Sequence, residues 1–147
     1  MTQVQRTALV ERPAEQLYNL VLDVPSYPEF LPWCKASEVI EQDASRQLAT
    51  VTIDAIVKEV SFTTRNTLTP YNTIGLQLQD GPFKSLNGEW RFKALSDAAS
   101  KVELDIEFEF ASGALTLAIK PVFLKIADTM LDAFVARAMS LDCDLPS

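Results

Sequence analysis

The stretch Glu103-Leu-Asp-Ile-Glu-Phe-Glu-Phe110 decides the fold, because apolar and acidic residues alternate along it without a break. Alternation with a period of two puts the four apolar side chains on one face of a β-strand and the four acids on the other. We therefore expect this strand to bury one face and to expose the other. The acidic row is interpreted as a solvated sheet surface rather than as a recognition site.

The hydrophobic period changes at Ser112 and Gly113, directly after this strand. Beyond Pro121, apolar residues recur at helical spacing in a stripe wide enough for a helix packed on a sheet. The stripe contains Val122, Phe123, Ile126, Ala127, Met130, Leu131, Phe134, Ala138 and Leu141. The sequence thus predicts a long C-terminal helix that lies on the sheet. The segment 114–120 is predicted to form one or two helical turns that Pro121 separates from this helix.

Upstream of the quoted stretch, the pattern indicates a strand, two short helices and then a run of antiparallel strands. A strand over 4–11 precedes Pro13, which opens an amphipathic helix that ends before Pro25. A briefer helical turn follows. Six strands separated by short turns are predicted over 36–42, 47–57, 60–69, 73–80, 86–95 and 101–110. The prediction is one α+β domain over 1–147, in which a curved antiparallel sheet of six or seven strands wraps around the C-terminal helix.

The charges favour one register for the last hairpin. In that register Trp90 faces Ile106, Phe92 faces Leu104, Gly88 faces Phe108, Arg91 meets Asp105 and Lys93 meets Glu103. Opposite charges then lie across from each other, although an exposed pair contributes only about 0.2–1 kcal/mol. A glycine at position 88, inside a strand, indicates a bulge or a close approach by Phe108.

Composition excludes several classes of function. The chain of 147 residues has no histidine and a formal net charge of −7. It therefore lacks the usual general base, the commonest metal ligand and every Ser-His or Cys-His nucleophile. Its charge opposes nucleic acid, DNA included, and anionic membranes unless Lys and Arg cluster locally, and the sequence shows no basic run of that kind. It also has no glycine-rich phosphate loop. We predict no catalysis and no metal.

The sequence also predicts the compartment. The longest apolar run, 114–119, is too short to cross a bilayer, and the N-terminus has no secretory pattern. Cys34 and Cys143 lie far apart without a partner motif, which indicates reduced thiols. We expect a soluble cytoplasmic protein, and association with the periphery of the inner membrane stays open.

Apolar side chains of the sheet and of the C-terminal helix converge on one space. Either they fill it as an ordinary core, or they leave a cavity for an apolar ligand. Three prolines stiffen the aromatic segment 25–33 at one end of this space, and the loop 81–83 lies at the other. The candidate ligand-binding residues are Phe30, Trp33, Phe62, Phe83, Trp90, Phe108, Met130 and Phe134. A mouth is expected beside Phe30 or Phe83.

Three segments resemble the bacterial ribosome association toxin family. They are Asp23-Val-Pro-Ser-Tyr-Pro-Glu-Phe-Leu-Pro-Trp-Cys34, then Asp80-Gly-Pro-Phe-Lys84 with Leu86, Gly88, Trp90 and Phe92, and the segment from Pro121-Val-Phe123 to Phe134-Val-Ala-Arg-Ala138. That family belongs with the coenzyme Q-binding proteins of the polyketide cyclase and lipid-transport group in the START-like superfamily. The resemblance implies a helix-grip, Bet v 1-like fold with a hydrophobic cavity.

The resemblance implies one of two activities. The first is binding of a ubiquinone-type isoprenoid lipid in support of respiration, with that lipid as the only bound molecule expected. The second is toxin-like binding of the large ribosomal subunit, which blocks subunit association. The negative charge favours the lipid, because ribosomal RNA repels an acidic chain. A protein contact on the ribosome escapes this objection.

Two further observations bear on these alternatives. A cluster of Lys35, Lys58, Arg65 and Lys84 on one surface would favour the ribosome. A polyketide cyclase-type enzyme is a third alternative, but the sequence gives no reason to place an acid and a base together in a cleft.

Overall fold

The computed structural model describes residues 2–54 and 59–141. Along the chain the elements are β1 (Thr2–Val10), α1 (Ala14–Leu22), a 3₁₀ helix (Val24–Glu29), β2 (Cys34–Gln42), β3 (Arg46–Asp54), β4 (Glu59–Thr69), β5 (Thr73–Asp80), β6 (Phe83–Ser96), β7 (Ala99–Phe110) and α2 (Gly113–Leu141). Both short helices after the first strand were expected from the prolines, and Pro13 is the N-cap residue of α1.

The described strands form one antiparallel sheet in the order β1-β7-β6-β5-β4-β3-β2. From β2 to β7, each strand pairs with the next along the chain, which is the predicted meander. β1 joins the sheet by pairing with β7. The prediction of an α+β helix-grip fold, with a curved antiparallel sheet and a long C-terminal helix, is confirmed. The end of the third predicted strand, 55–57, lies outside the described residues.

β7 shows the alternation that decided the fold. Val102, Leu104, Ile106, Phe108 and Phe110 are buried, and the residues between them are half-buried. On the outer face, Glu103 lies 3.5 Å from Arg91, Glu109 lies 3.5 Å from Lys84, and Asp105 accepts hydrogen bonds from Gln3 and Gln5. The acids therefore form a polar outer surface whose charges are partly paired.

The predicted register of the β6–β7 hairpin is wrong by two residues. Trp90 faces Leu104, Phe92 faces Val102, Gly88 faces Ile106, Arg91 meets Glu103 and Lys93 meets Lys101. A two-residue turn at Asp97-Ala98, with a register shift before Ser96, sets this pairing. A shift of two residues keeps every side chain on its predicted face, so the buried surface is retained. The cross-strand charge pairs are too weak to oppose the turn.

Gly88 permits a close approach, but not the predicted one. A Cβ atom at this position would lie 2.4 Å from the carbonyl oxygen of Asp105 and 3.1 Å from the Cα atom of Ile106. The pairing shows no register shift here. A close approach at Gly88 is therefore confirmed. The atoms that approach it belong to the backbone of β7 at Asp105 and Ile106 and not to Phe108.

α2 runs from Gly113 to Leu141 and contains Pro121. The predicted separation of 114–120 from the main helix is therefore wrong. Pro121 cannot donate a helical hydrogen bond, but Ile119 and Phe123 on either side of it are both buried. We infer that burial of these two side chains outweighs the local cost of the proline. No helix in the described residues is long and apolar enough to span a bilayer.

Candidate functional site

A cavity of about 90 Å³ lies between the sheet and the helices. Strands β3 to β7, both α-helices and the 3₁₀ helix all contribute to its wall. Most of the wall is apolar, and it includes Val21, Trp33, Val51, Phe62, Ile74, Leu76, Leu86, Trp90, Ile106, Phe123 and Met130. No charged side chain is among the described residues that line it. The cavity therefore suits a neutral occupant.

The structure brings four of the eight predicted ligand-binding residues to this cavity: Trp33, Phe62, Trp90 and Met130. Phe30, Phe83, Phe108 and Phe134 do not line it. Phe108 and Phe134 are each 1% exposed and belong to the packed core. For these two side chains, the structure agrees with the alternative of a filled core.

Phe83 lies in an aromatic cluster at one end of the core. Its ring is 4.8 to 6.4 Å from those of Phe62, Phe108, Phe110 and Phe123. These ring contacts occupy the place near the loop 81–83 where a mouth was predicted. Only Phe62 and Phe123 of this cluster also border the cavity.

Phe30 packs against α2. Its ring lies 5.1 Å from that of Phe134, and the guanidinium carbon of Arg137 lies 5.1 Å from its centroid. Glu29 holds this guanidinium at 2.8 Å. Because neither Phe30 nor Phe83 borders the cavity, the predicted mouth beside them is not found in the described part of the chain.

The polar part of the cavity wall was not among the residues predicted from the sequence. Gln47, Thr64 and Asn66 line the cavity and are 2%, 8% and 4% exposed. Each occupies an inward position of β3 or β4, in phase with Ile53 or Leu68. The sequence therefore contained a sign of this polar wall, because a polar residue at an inward-facing position of a strand needs a buried hydrogen-bond partner.

These three side chains form a directed chain of hydrogen bonds. Thr64 Oγ1 donates to Asn66 Oδ1 at 2.8 Å, and Asn66 Nδ2 donates to Gln47 Oε1 at 2.8 Å. Gln47 Nε2 then donates to the carbonyl of Leu22 at 2.9 Å and to Gln42 Oε1 at 3.1 Å. Leu22 is the last residue of α1, so Gln47 also satisfies a helix-terminal carbonyl.

The chain leaves hydrogen-bonding capacity beside the cavity. Both N–H groups of the Gln47 amide are used, whereas Asn66 Nδ2 has two N–H groups and makes one bond within the described residues. The hydroxyl of Thr64 donates, and no described donor is bonded to it. A ligand could therefore accept from Asn66 and donate to Thr64, which describes a neutral hydroxyl or carbonyl compound.

Two titratable groups near the cavity stay neutral. Burial raises the pKa of Tyr27 well above its ordinary value, and the nearby Cys34 and Asp23 raise it further. The Tyr27 hydroxyl donates to the carbonyl of Val21. Burial also raises the pKa of the Cys34 thiol, which hydrogen bonds with Ser37 and Ala36 partly offset. No cluster of metal-ligating side chains occurs within 2–54 and 59–141.

The size of the cavity limits what it holds. Sites for small molecules usually measure about 300–1,000 Å³, so a cavity of about 90 Å³ must widen to admit an isoprenoid chain. The seam between β5 and β6 offers one place for this. These strands pair only over 73–77 and 87–91, although β5 continues to Asp80 and β6 begins at Phe83. The cavity reaches the end of this pairing at Leu76 and Asn87.

The chain is similar to a known protein family and to proteins of known name. A family model described as polyketide cyclase/dehydrase and lipid transport matches residues 10–135. The ribosome association toxin RatA of Pseudomonas aeruginosa is 45% identical over 140 residues, which cover 95% of this chain and 97% of that protein. The mitochondrial coenzyme Q-binding protein COQ10 of Drosophila melanogaster is 30% identical over 131 residues, which cover 86% of this chain and 54% of that protein.

A solved structure of a START superfamily protein from Mycobacterium smegmatis matches with a TM-score of 0.75 and 19% identity, over 95% of this chain and 98% of that one. At this identity the likeness supports the fold alone. The Pseudomonas relative is named as a toxin and not as an enzyme. This chain therefore belongs to the polyketide cyclase and lipid-transport family, and within it to the group of the ribosome association toxins.

Proposed function

We propose that this protein is a ribosome-directed inhibitor that binds the large ribosomal subunit and blocks its association with the small subunit. The observation that carries the proposal is the 45% identity to a ribosome association toxin over 95% of the chain. The aligned region extends over nearly the whole chain, so the likeness is not confined to one segment. The small volume of the cavity adds support, because this role requires no ligand.

The charges favour contact with a basic ribosomal protein over contact with RNA. Of the four basic residues whose clustering would favour the ribosome, Lys58 lies outside the described residues. Lys35 is paired with Glu59, Lys84 with Glu109, and Arg65 donates to Gln79. Two of these three cations are thus already compensated. The remaining excess of acid suits a cationic protein surface.

Sucrose-gradient profiles test this function. Purified protein is added to separated subunits at a magnesium concentration that otherwise permits their association. We expect fewer joined ribosomes and co-migration of the protein with the large subunit. An unrelated protein of equal size and charge controls for non-specific effects. Unchanged subunit joining without co-migration would reject the proposal.

A second candidate function is the non-enzymatic binding of a neutral hydrophobic ligand such as a ubiquinone-type lipid. Its support is the apolar cavity with hydrogen-bonding capacity at Asn66 and Thr64, together with the likeness to the coenzyme Q-binding protein. We propose no catalytic step for either function, since no charged side chain is found among the described lining residues.

The two tryptophans of the chain report directly on ligand binding, because Trp33 and Trp90 both line the cavity. Lipid extraction followed by mass spectrometry identifies a co-purified ligand. Titration with quinones of increasing chain length should then change the tryptophan fluorescence. If no isoprenoid is extracted and the fluorescence does not change, this second function is excluded.

A further inference from the structure

The N-terminal half of α2 exposes an apolar stripe to solvent. Ala114, Leu117, Ala118 and Pro121 lie at helical spacing and are all exposed. Leu117 is 84% exposed, the largest value for a large hydrophobic residue in the described chain. A soluble surface helix normally presents polar residues on its outer face, so this stripe requires an explanation.

The charges around the stripe differ from those of the rest of the chain. From Phe110 to Ala127 the sequence contains no acid, although Asp and Glu exceed Lys and Arg by seven overall. Within this stretch, Lys125 is exposed and Lys120 is half-exposed. Neither lysine forms an ion pair within the described residues. The result is a locally basic and apolar surface.

The acids that flank this stretch are compensated. Glu109, just before it, lies 3.5 Å from Lys84. Asp128, just after it, is paired with Arg6. Each of these carboxylates therefore already has a basic partner other than the two lysines.

We propose that this face of α2, formed by Ala114, Leu117, Ala118 and Pro121 with Lys120 and Lys125, docks on an anionic lipid bilayer. Interfacial helices place apolar side chains at the boundary between headgroups and acyl chains, while lysines contact acidic headgroups. RNA would satisfy the lysines and leave Leu117 without an apolar partner. A bilayer satisfies both. The docking does not depend on ribosome binding.

The position of the face relates it to the cavity. Phe123 lies on the same half of α2, is buried, and lines the cavity. The docked helix would therefore separate the bilayer from the cavity by its own thickness.

Vesicle co-sedimentation of the full chain tests the proposal. One set of vesicles contains phosphatidylcholine with about a third phosphatidylglycerol, and the other contains phosphatidylcholine alone. We expect binding to the anionic vesicles and much weaker binding to the neutral ones. Leu117→Ser should weaken anionic binding about tenfold or more, because it removes the largest apolar group of the face.

Substitutions at the two lysines test the charge. The pair Lys120→Gln and Lys125→Gln should weaken binding to anionic vesicles at least tenfold and reduce its dependence on salt. The matched controls are Leu9→Ser, whose leucine is 74% exposed on β1, and the pair Lys93→Gln and Lys101→Gln on the outer sheet face. Both controls should bind as the parent does.

Several results would overturn the proposal. One is no binding of the parent to anionic vesicles, and another is an equal loss in the Leu9 and Leu117 variants. A third is vesicle binding that survives Leu117→Ser while co-sedimentation with ribosomal subunits is lost, which would make this face a ribosome contact. Circular dichroism checks that the Leu117→Ser variant is folded, and we expect no loss of helix or sheet because Leu117 is exposed.

Discussion

Replacing Gly88 with alanine should destabilise the sheet, whereas the same change at Gly75 should not. A Cβ at position 88 would lie 2.4 Å from the carbonyl oxygen of Asp105. Since this atom belongs to the backbone of β7, the two strands must move apart. Overpacking of this kind costs about 1–3 kcal/mol. For a domain of this size, the melting temperature should fall by roughly 2–4 °C per kcal/mol.

Gly75 provides a matched control on the neighbouring strand β5. The nearest atom to a Cβ there is that of Thr67, at 3.7 Å, which is an ordinary contact. Neither glycine has a positive φ, so alanine introduces no backbone strain at either site. By restricting the unfolded chain, alanine at position 75 should increase stability by about 0.4–1 kcal/mol.

Urea unfolding followed by tryptophan fluorescence measures both variants. Trp90 is two residues from Gly88 and lines the cavity, so its emission in the native state should also change when β6 moves from β7. Equal unfolding midpoints for the two alanine variants would refute the reasoning. So would a Gly88 variant with the stability and native emission of the parent.

Three other changes address the cavity. Asn66→Leu should lower the free energy of unfolding by at least about 2 kcal/mol, because it leaves buried groups of Gln47 and Thr64 unpaired. Urea unfolding measures this loss, and a leucine substitution at an exposed site serves as the control. Ala49→Leu should fill the cavity, stabilise the fold by up to about 2 kcal/mol and abolish the fluorescence response to quinones. Co-sedimentation of that variant with ribosomal subunits should be unchanged, and its loss would contradict separate sites. Stability should fall as the pH rises above about 10, because burial raises the pKa of Tyr27 in the folded state and only the unfolded state releases that proton. Urea midpoints between about pH 8 and 11.5 should show a smaller fall for Tyr27→Phe, and an equal fall would contradict this assignment.

The fold could be predicted from the sequence because its determinants are periodic. The alternation over 103–110 assigns inner and outer faces, and the helical stripe after Pro121 assigns the packed face of α2. The register of the β6–β7 hairpin was harder to predict from the sequence. A two-residue shift leaves the faces unchanged, so the choice depended on turn geometry at Asp97-Ala98 rather than on the pattern.

The cavity was harder to predict, because periodicity gives the direction of a side chain and not the space that remains beside it. Phe83 and Trp90 both point inward from β6, yet the first packs into an aromatic cluster and the second lines the cavity. The difference arises from the volumes of side chains on several elements. Gln47 and Asn66 are the exception, since polar residues at inward positions were visible in the sequence.

The cavity also separates the two candidate functions in physical terms. A ribosome contact uses the surface, so it requires only that the interior stay packed, and about 90 Å³ of empty space is compatible with that. A carrier must enlarge the same space several-fold. The short pairing of β5 with β6, together with the flexible Met130 in the wall, provides a route for such enlargement. Filling the cavity at Ala49 would block ligand entry and leave the surface unchanged, so this substitution separates the two functions.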